Sequence, residues 1–493
     1  MNKTKLTNFG GNVQFRPAEI FTPNSVDELL EKLAVTNSKI RVIGSKHAWN
    51  SGIETEELIV DLGKLSSIRI DSKNDQPFVV VGGGCVMRDL VDELTRRGFA
   101  LPTSGLILEQ TIAGATATGT HGSGKPSLSH FLTAVRMVHY KNGEPVATWI
   151  SGGNELKAAR CSLGCLGIVV EIQIPLIPIY SISEDTVRCR SMAEALDFEN
   201  EYSLQQIFIL PTTWRVYAQR RKLCANATVS PTSWLYRKYW NWGLCFGFIA
   251  VLKLMLTLPF SSQFLRFYYR YLAPCLLLTN WEVKDRSDKL MVIAHESFRH
   301  LEIELFVQDE HLLPAFEFLV EILRFADDAK YELSNEAVEL LTNQDLLESV
   351  YEVGGVFTHH CPICVRKVLA DATLISMTAG HDDWYSISLI TYGSSLDSFS
   401  RLAEFVAIAL FKCFRARVHW GKWFPYDAET IVEQYSQLTL FRNVCRRFDP
   451  DGVFRNRFTE KLFEEFKENV VSSDKVVSQP NKAEEKFSKS SKS

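Results

Sequence analysis

The sequence predicts an α+β protein of more than one structural unit, and three observations carry that expectation. Short β-branched apolar runs recur between glycines from residue 39 onward, one amphipathic helix interrupts them, and the 493-residue chain has an ordinary composition, 46% hydrophobic and 23% charged. An apolar run bounded by turn residues reads as a strand, whereas apolar residues three and four apart read as one helix face. At roughly 150 residues per domain the length implies two to four units. Such a composition argues against a wholly disordered chain and against a polytopic membrane protein.

In chain order, IRVIG, LIVDLG and FVVVGGG read as buried strands, and VMRDLVDELTRRG reads as a helix that stops at Gly98. Gly-Thr-Ser-rich sequence follows through TIAGATATGTHGSG, then strands around AVRMVHY, EPVATWIS and CLGIVVEIQIPLIPIY. Pro175 and Pro178 mark a domain edge, which sets a first unit at residues 1–178. Strand-like HLEIELFV and WYSISLITY and helix-like PAFEFLVEILRF occupy a second unit, 179–415. A C-terminal segment, 416–468, holds HWGKWF and RRFDPDGVFRN, and the Ser- and Lys-rich tail 469–493 is expected to be disordered.

Charge and cysteine usage narrow the partners. Fifty-four Lys plus Arg against 58 Asp plus Glu leave a net charge of -4, so nothing pulls the chain globally toward nucleic acid. Eleven cysteines, an odd number without a framework rhythm, favour a reducing compartment. The N-terminus lacks the apolar core of a secretory signal.

One segment departs from the average. GLCFGFIAVLKLMLTL, 243–258, is apolar except for Lys253, follows the aromatic and basic WLYRKYWNW, and precedes FLRFYYRYLAPCLLL. The 234–283 insertion therefore predicts a monotopic membrane contact, with a buried cap helix and a true span as alternatives; the run is shorter than the roughly 20 residues a spanning helix needs. The chain is accordingly expected at a membrane, its folded domains in a reducing compartment, or in the cytoplasm if the insertion is buried.

Two stretches look built for chemistry. In IGSKHAWN, 43–50, a strand enters a Gly-Ser turn and presents His47, and small residues there let backbone N–H groups approach an anion such as pyrophosphate. TIAGATATGTHGSG, 111–124, supplies hydroxyl and backbone donors at a density that suits a phosphate or an acceptor-rich ring edge. Neither is a dinucleotide fingerprint: GGGCVM lacks the third glycine of G-x-G-x-x-G, and no P-loop occurs. HHCPIC, 359–364, offers four potential zinc ligands, but adjacent histidines point to opposite sides of an extended chain and no second Cys-x-x-Cys follows, so no metal is expected.

Taken together, RVIGSKHAWN, VVVGGG with RDLVDEL, LPTSGLILEQTIAGATATGTHGSG and SLGCLGIVVEI, in that order, resemble the flavin domain of the vanillyl-alcohol oxidase superfamily. HWGK at 419–422 and FDPDGVFRN at 448–456 look like its aldonolactone oxidase branch, whose members include gulonolactone, arabinonolactone and galactonolactone oxidoreductases, with alditol oxidases as close relatives. The resemblance implies a two-subdomain FAD-binding domain of the PCMH type and an α+β substrate cap with a mixed or antiparallel sheet. It also implies FAD, lined by Gly44, Ser45, Lys46, Thr111, Gly114, Thr118, Gly119, Thr120, His121, Gly122, Ser123 and Ile168, with His47 at the position that in many members bonds covalently to the flavin 8α-methyl carbon.

By the same matching, Lys422 stands for the lysine beside flavin N1 and the C2 carbonyl, where a fixed cation stabilises charge arriving by hydride transfer to N5. His419 sits in the same motif, and Arg366 in VRKVLAD takes the place of the family's Glu-x-Arg arginine, followed by Asp371. Cys364 stands where relatives carry Glu, so a hydroxyl acceptor has become a weak thiol. Glu304 matches another acidic motif position, with Glu302 on the same face of a strand. The implied activity is oxidation of a sugar-acid 1,4-lactone to an ascorbate-type product, with oxygen or another acceptor taking the electrons. The alternatives are polyol oxidation, a lipid-soluble hydroxyl substrate reached through the insertion, or a flavin-holding membrane-peripheral protein without catalysis.

Overall fold

The computed structural model describes residues 4–224, 228–292, 298–392 and 396–464; the tail expected to be disordered lies outside the described residues. Two sheets build the N-terminal part. Glu19–Phe21, Leu58–Asp61 and Ile40–Ile43 form a parallel three-stranded sheet. Helix Val26–Ala34 buries Leu29 and Leu33 in the core beside it and is capped by Ser25, which accepts from Glu28 N–H. A five-stranded antiparallel sheet runs in the order Glu144–Ile150, Ala134–Lys141, Ile168–Pro175, Gln76–Gly82, Ile68–Lys73.

The glycine turn after Gln76–Gly82 joins these layers. A Cβ on Gly84 would lie 1.8 Å from the Leu62 carbonyl oxygen, and one on Gly83 2.3 Å from that of Val169, so only glycine lets the backbones pass this closely. Helix Met87–Arg96 follows directly and buries Met87, Leu90 and Leu94, and Gly98 turns out of it with φ of 81°.

From Ser181 onward the strands enter an antiparallel eight-stranded sheet ordered Val283–Arg286, Ser181–Cys189, Arg215–Cys224, Gln206–Leu210, Ile363–Val368, Trp384–Thr391, Leu301–Gln308, Arg417–Val418. All seven residues Leu301–Val307 are buried, which a strand covered on both faces requires. Helices Leu312–Asp327 and Leu396–Phe414 cover one face, on which Ile303, Leu305 and Leu389 lie. The other face, carrying Glu302, Glu304, Cys364, Arg366 and Ser388, lines a cavity against the glycine-rich loops.

The chain then doubles back. Arg417–Val418 is an edge strand of the large sheet, so the return to the N-terminal part begins after Val418. It is fixed by Ile40 N–H donating to the Val453 carbonyl (2.9 Å) and by the buried Arg41, which reaches the carbonyls of Gly52, Leu163 and Phe454. Residues through Phe463 form one compact unit.

Between strands Arg215–Cys224 and Val283–Arg286 lies a helical hairpin. Ser233–Lys238, Tyr239–Phe248 and Ile249–Leu256 run as one continuous helix whose middle is wound as π-helix. The chain reverses at Phe260 (φ 61°) into Ser261–Phe267, Tyr268–Leu272 and Ala273–Leu276. One face carries Phe248, Ile249, Leu252, Leu265, Tyr268, Tyr269 and Ala273 into a core shared with Leu210 and Tyr217 of the sheet.

Candidate active site

Three loops distant in sequence converge on a cavity of roughly 460 Å³. The 43–50 loop meets the 111–120 loop where a Cβ on Gly44 would fall 2.0 Å from Thr111 Oγ1. The 419–422 turn is pressed onto both. A Cβ on Gly421 would sit 3.2 Å from Thr118 Oγ1, Trp49 N–H donates to the Gly421 carbonyl (2.9 Å), and the Asn50 amide donates to that of Trp420. Lys422 Nζ stands 4.5 Å from the centre of the Trp49 ring. His47 stacks on Phe9 at 4.8 Å, and its Nε2 lies 3.6 Å from Glu109 Oε2.

The floor is charged. Strand alternation places His300, Glu302 and Glu304 on one face of the Leu301–Gln308 strand and its N-terminal extension. Lys422 Nζ donates to Glu302, with His300 Nε2 3.7 Å from the same carboxylate. Arg366 donates to Glu304 Oε1 (3.0 Å), which also lies 3.2 Å from His121 Nε2. Burial works to raise both carboxyls, yet the adjoining groups outweigh it: Lys422 and His300 hold Glu302 at about 2, and His121 and Arg366 hold Glu304 well below the usual range. Burial drives His419 down to about 3. Its Nδ1 accepts from Gly421 N–H (2.9 Å), which leaves the ring proton on Nε2.

His121, Glu304 and His419 bring ligand atoms within 4.8 Å of one another. Arg366 on the same carboxylate and Lys422 nearby oppose a divalent cation there, so the trio reads as a hydrogen-bonded network. The histidines of HHCPIC take no part, His359 being buried and His360 Nε2 accepting from Tyr392 N–H (3.1 Å), whereas Cys361, Pro362 and Cys364 of the same motif line the cavity.

Not every polar atom of the floor is satisfied. Arg366 Nε and Ser388 Oγ are buried and have no hydrogen-bond partner among the described residues, although both residues line the cavity. Buried donors are normally paired, so these two mark where a ligand oxygen would bind. Burial pushes the Cys364 thiol up to about 11; it is a neutral, weak donor 3.9 Å from Gln206 Oε1.

The opposite wall is apolar. It comes from Tyr239, Trp240, Leu244, Phe248, Leu277 and Leu278 of the hairpin, with Phe208, Leu210, Phe298 and Ile390 beside them.

Of the residues singled out in the sequence, Gly44, Ser45, Lys46, His47, Thr111, Gly114, Thr118, Thr120, His121, Glu304, Arg366, His419 and Lys422 all line this one cavity. Gly119, Gly122, Ser123 and Ile168 stand behind it. Gly119 (φ 78°) backs onto Met377, Gly122 onto the Ser104 carbonyl, Ser123 donates to the Gln205 carbonyl, and Ile168 is core. Asp371 is structural, accepting from Ser127, Thr373 and Ser376 hydroxyls. His300 and Ser388 were not singled out; the 234–283 insertion was, as a membrane contact or cap through which a lipid-soluble substrate could be reached, though not residue by residue as a wall of this cavity. A polar period-two pattern, His300, Glu302, Glu304, inside an otherwise apolar strand was the available signal for the first. Nothing local marks Ser388.

Two family models cover most of the chain. Residues 17–148 match the FAD binding domain model, and residues 173–462 match the model described as D-arabinono-1,4-lactone oxidase. The chain belongs to the D-arabinono-1,4-lactone oxidase family. A long-chain alcohol oxidase from an uncultured marine euryarchaeote is 37% identical over 463 residues, 93% of this chain and 96% of the relative. The L-gulonolactone oxidase of Mus musculus is 24% identical over 459 residues, 91% and 95% of the two chains. Among solved structures, a cholesterol oxidase from B. sterolicum superposes with a TM-score of 0.71 at 13% identity, covering 94% of this chain and 97% of that one, which speaks to fold alone. This member of the family is therefore an FAD-dependent oxidase or dehydrogenase with the PCMH-type fold.

The cavity fits that cofactor. Gly44 against Thr111 and Gly421 against Thr118 are close approaches that a side chain would obstruct, and the hydroxyls and backbone donors of both loops suit a pyrophosphate and a ring edge.

Proposed function

We propose that this chain oxidises long-chain, apolar alcohols at the CH–OH carbon, with oxygen as electron acceptor. One observation carries the reading: above a floor of Arg366, Glu302 and Glu304, the space left for substrate is walled by Phe208, Trp240, Leu244, Phe248, Leu277 and Ile390. A sugar lactone carries a hydroxyl on nearly every carbon, and each one buried against this wall would lose its hydrogen bond. An alkyl chain gains there, and the 37% identical relative is named for that substrate class.

The residues divide the work. Ser388 Oγ and Arg366 Nε bind and orient the substrate oxygen, and the aromatic wall excludes water from the alkyl chain. Lys422, held in place by Glu302, is the cation that would face the cofactor's anionic edge, and Gly44, Thr111, Thr118 and Thr120 would hold its polar parts. When bound, FAD accepts the hydride and hands the electrons to the acceptor. Arg366 and Lys422 together stabilise negative charge as the hydroxyl proton departs to water. His47, at the cavity edge, is the candidate covalent anchor. Acid-precipitated wild type should retain its yellow colour and His47→Ala should release it.

A second reading, oxidation of an aldonolactone, draws on family membership and on the Arg366–Glu304 pair. Anaerobic mixing separates the two. With alcohols from butanol to hexadecanol, 1 buried methylene contributes about 0.8 kcal/mol, so kcat/KM should rise about fourfold per added carbon until the wall is filled. Bleaching of the flavin by gulono- or arabinonolactone, with none by any alcohol, would overturn the alcohol reading.

A further inference from the structure

The hairpin that walls the cavity has a second face, and nothing among the described residues covers it. Trp242 (64% exposed), Leu254 (63%), Phe260 (73%) and Phe267 (54%) point outward, with Leu235, Phe246, Phe264, Tyr271 and Leu276 continuing the patch along both helices. Soluble monomers rarely leave so extended an apolar surface bare. Ser233–Leu256 is, at 24 residues, long enough and apolar enough to cross a bilayer. Its packing says otherwise: Tyr236 near one end and Phe248, Ile249 and Leu252 near the other are all buried against the body, so the helix lies along the protein instead of projecting from it. That is the posture of a helix lying in one leaflet.

A second, independent feature sits beside the start of this helix. A groove of roughly 410 Å³ is lined by Arg88, Arg237, Lys238 and Lys289, by Asp92 and Asp288, and by Trp234 and Trp242. Arg88 lies 3.8 Å from Glu109 and Lys289 3.2 Å from Asp288, while Arg237 Nε stands 3.6 Å from Asp285, beyond hydrogen-bond reach. Carboxylates thus stand against three of the four cations, Lys238 has none within ion-pair distance among the described residues, and tryptophans at the rim of an apolar patch belong at headgroup depth. The complementary occupant is the phosphate of an anionic lipid.

The two faces of the hairpin are one turn apart. Trp240, Leu244 and Phe248 look into the cavity, while Trp242, Phe246 and Val251 look out of it. The intervening residues are wound as π-helix, a geometry that recurs at functional sites. We infer that the 233–278 hairpin rests on an anionic leaflet, with a lipid phosphate in the groove, and that the alkyl alcohol passes from the acyl layer between its helices into the cavity. The delivery half of this inference rests on the alcohol reading above; the seating half does not.

The test uses the full-length holoenzyme and vesicles of phosphatidylcholine, with or without phosphatidylglycerol. Wild type should co-sediment with the anionic vesicles and at least tenfold less with neutral ones. Lys238→Glu, and separately the outward-facing triple variant Leu254→Glu, Phe264→Glu, Phe267→Glu, should each lose sedimentation at least tenfold. The triple variant should oxidise dissolved butanol within twofold of wild type while losing hexadecanol presented in vesicles. Wild type left in the supernatant, variants that sediment like wild type, or a stable dimer covering the patch would overturn the seating. Equal turnover of vesicle-borne hexadecanol by the triple variant would overturn the delivery route. If no alcohol is oxidised yet anionic vesicles still bind, the alcohol reading and the delivery route fall together and the leaflet seat stands.

Discussion

The cofactor side of the cavity is assembled from segments far apart in the chain, Gly44 beside Thr111 and Gly421 against Thr118, whereas most of the facing wall comes from one continuous insert, Tyr239 to Leu278. On the first side each residue answers to a backbone constraint: a Cβ would collide, a strand must end, a lysine must reach a fixed carboxylate. On the second, any apolar side chain of suitable size serves. On the proposed reading, redox chemistry and substrate choice are held by different parts of the chain, and the insert could change without disturbing the loops.

The sharpest way to break that division is to remove the cation of the first side. Lys422→Met leaves the glycine loops intact but takes away the ammonium that Glu302 holds, so flavin reduction should fall about 10²–10³-fold while FAD is retained. Stopped-flow reduction with dodecanol, alongside the flavin-to-protein ratio, checks both halves. If FAD is lost in proportion, Lys422 serves binding instead of turnover.

Acid titration probes the same pair. Glu302 is held at about 2 in the folded protein against an ordinary value of 4.5, Lys422 and the adjoining His300 outweighing burial. A depressed carboxyl contributes stability that is complete above its unfolded value and disappears as pH falls through its folded one. About 3 kcal/mol should therefore be lost between roughly pH 4.5 and pH 2. In Glu302→Gln this limb of a urea-denaturation series should flatten, and an unchanged limb would show that the pair contributes nothing.

The apolar wall should respond in the opposite manner. Leu244→Glu places a carboxylate in the path of an alkyl chain, so KM for dodecanol should rise about tenfold while butanol turnover and FAD retention hold. A uniform loss across chain lengths would mean that the two walls are not independent.

How much of this was legible in the sequence follows the same division. The glycine turns and the Met87–Arg96 helix could be read locally because each depends on a few neighbouring residues, whereas the HWGK lysine was singled out by the motif's resemblance to the family. The choice between Glu302 and Glu304 could not, since both face the same way and only the tertiary positions of Lys422 and Arg366 assign one to each. The insert announced its apolar character but not its double face. Spacing puts Trp240, Leu244 and Phe248 on one face and Trp242 on the other, but which of these faces looks into the cavity is set by how the hairpin packs on the sheet, which periodicity does not give.

Cys364 is where the two walls meet, and its replacement is the finest test. The strand pairing aligns Phe208 of the apolar side, Cys364, Ser388 and Glu304 in one row across the sheet, so a single position marks the change from hydrocarbon to charge. As a neutral thiol it cannot accept firmly from a second substrate hydroxyl. Cys364→Glu would restore an acceptor two residues from Arg366, whose guanidinium offsets part of the added charge, while placing a carboxylate near Glu302 and Glu304. The net effect is expected to be small: a few-fold gain in kcat/KM for a polyol relative to dodecanol, measured on one preparation, with no change in flavin content. Were the ratio to stay fixed, the alcohol preference would have to reside wholly in the insert, and the row at Cys364 would be a boundary without influence on either side.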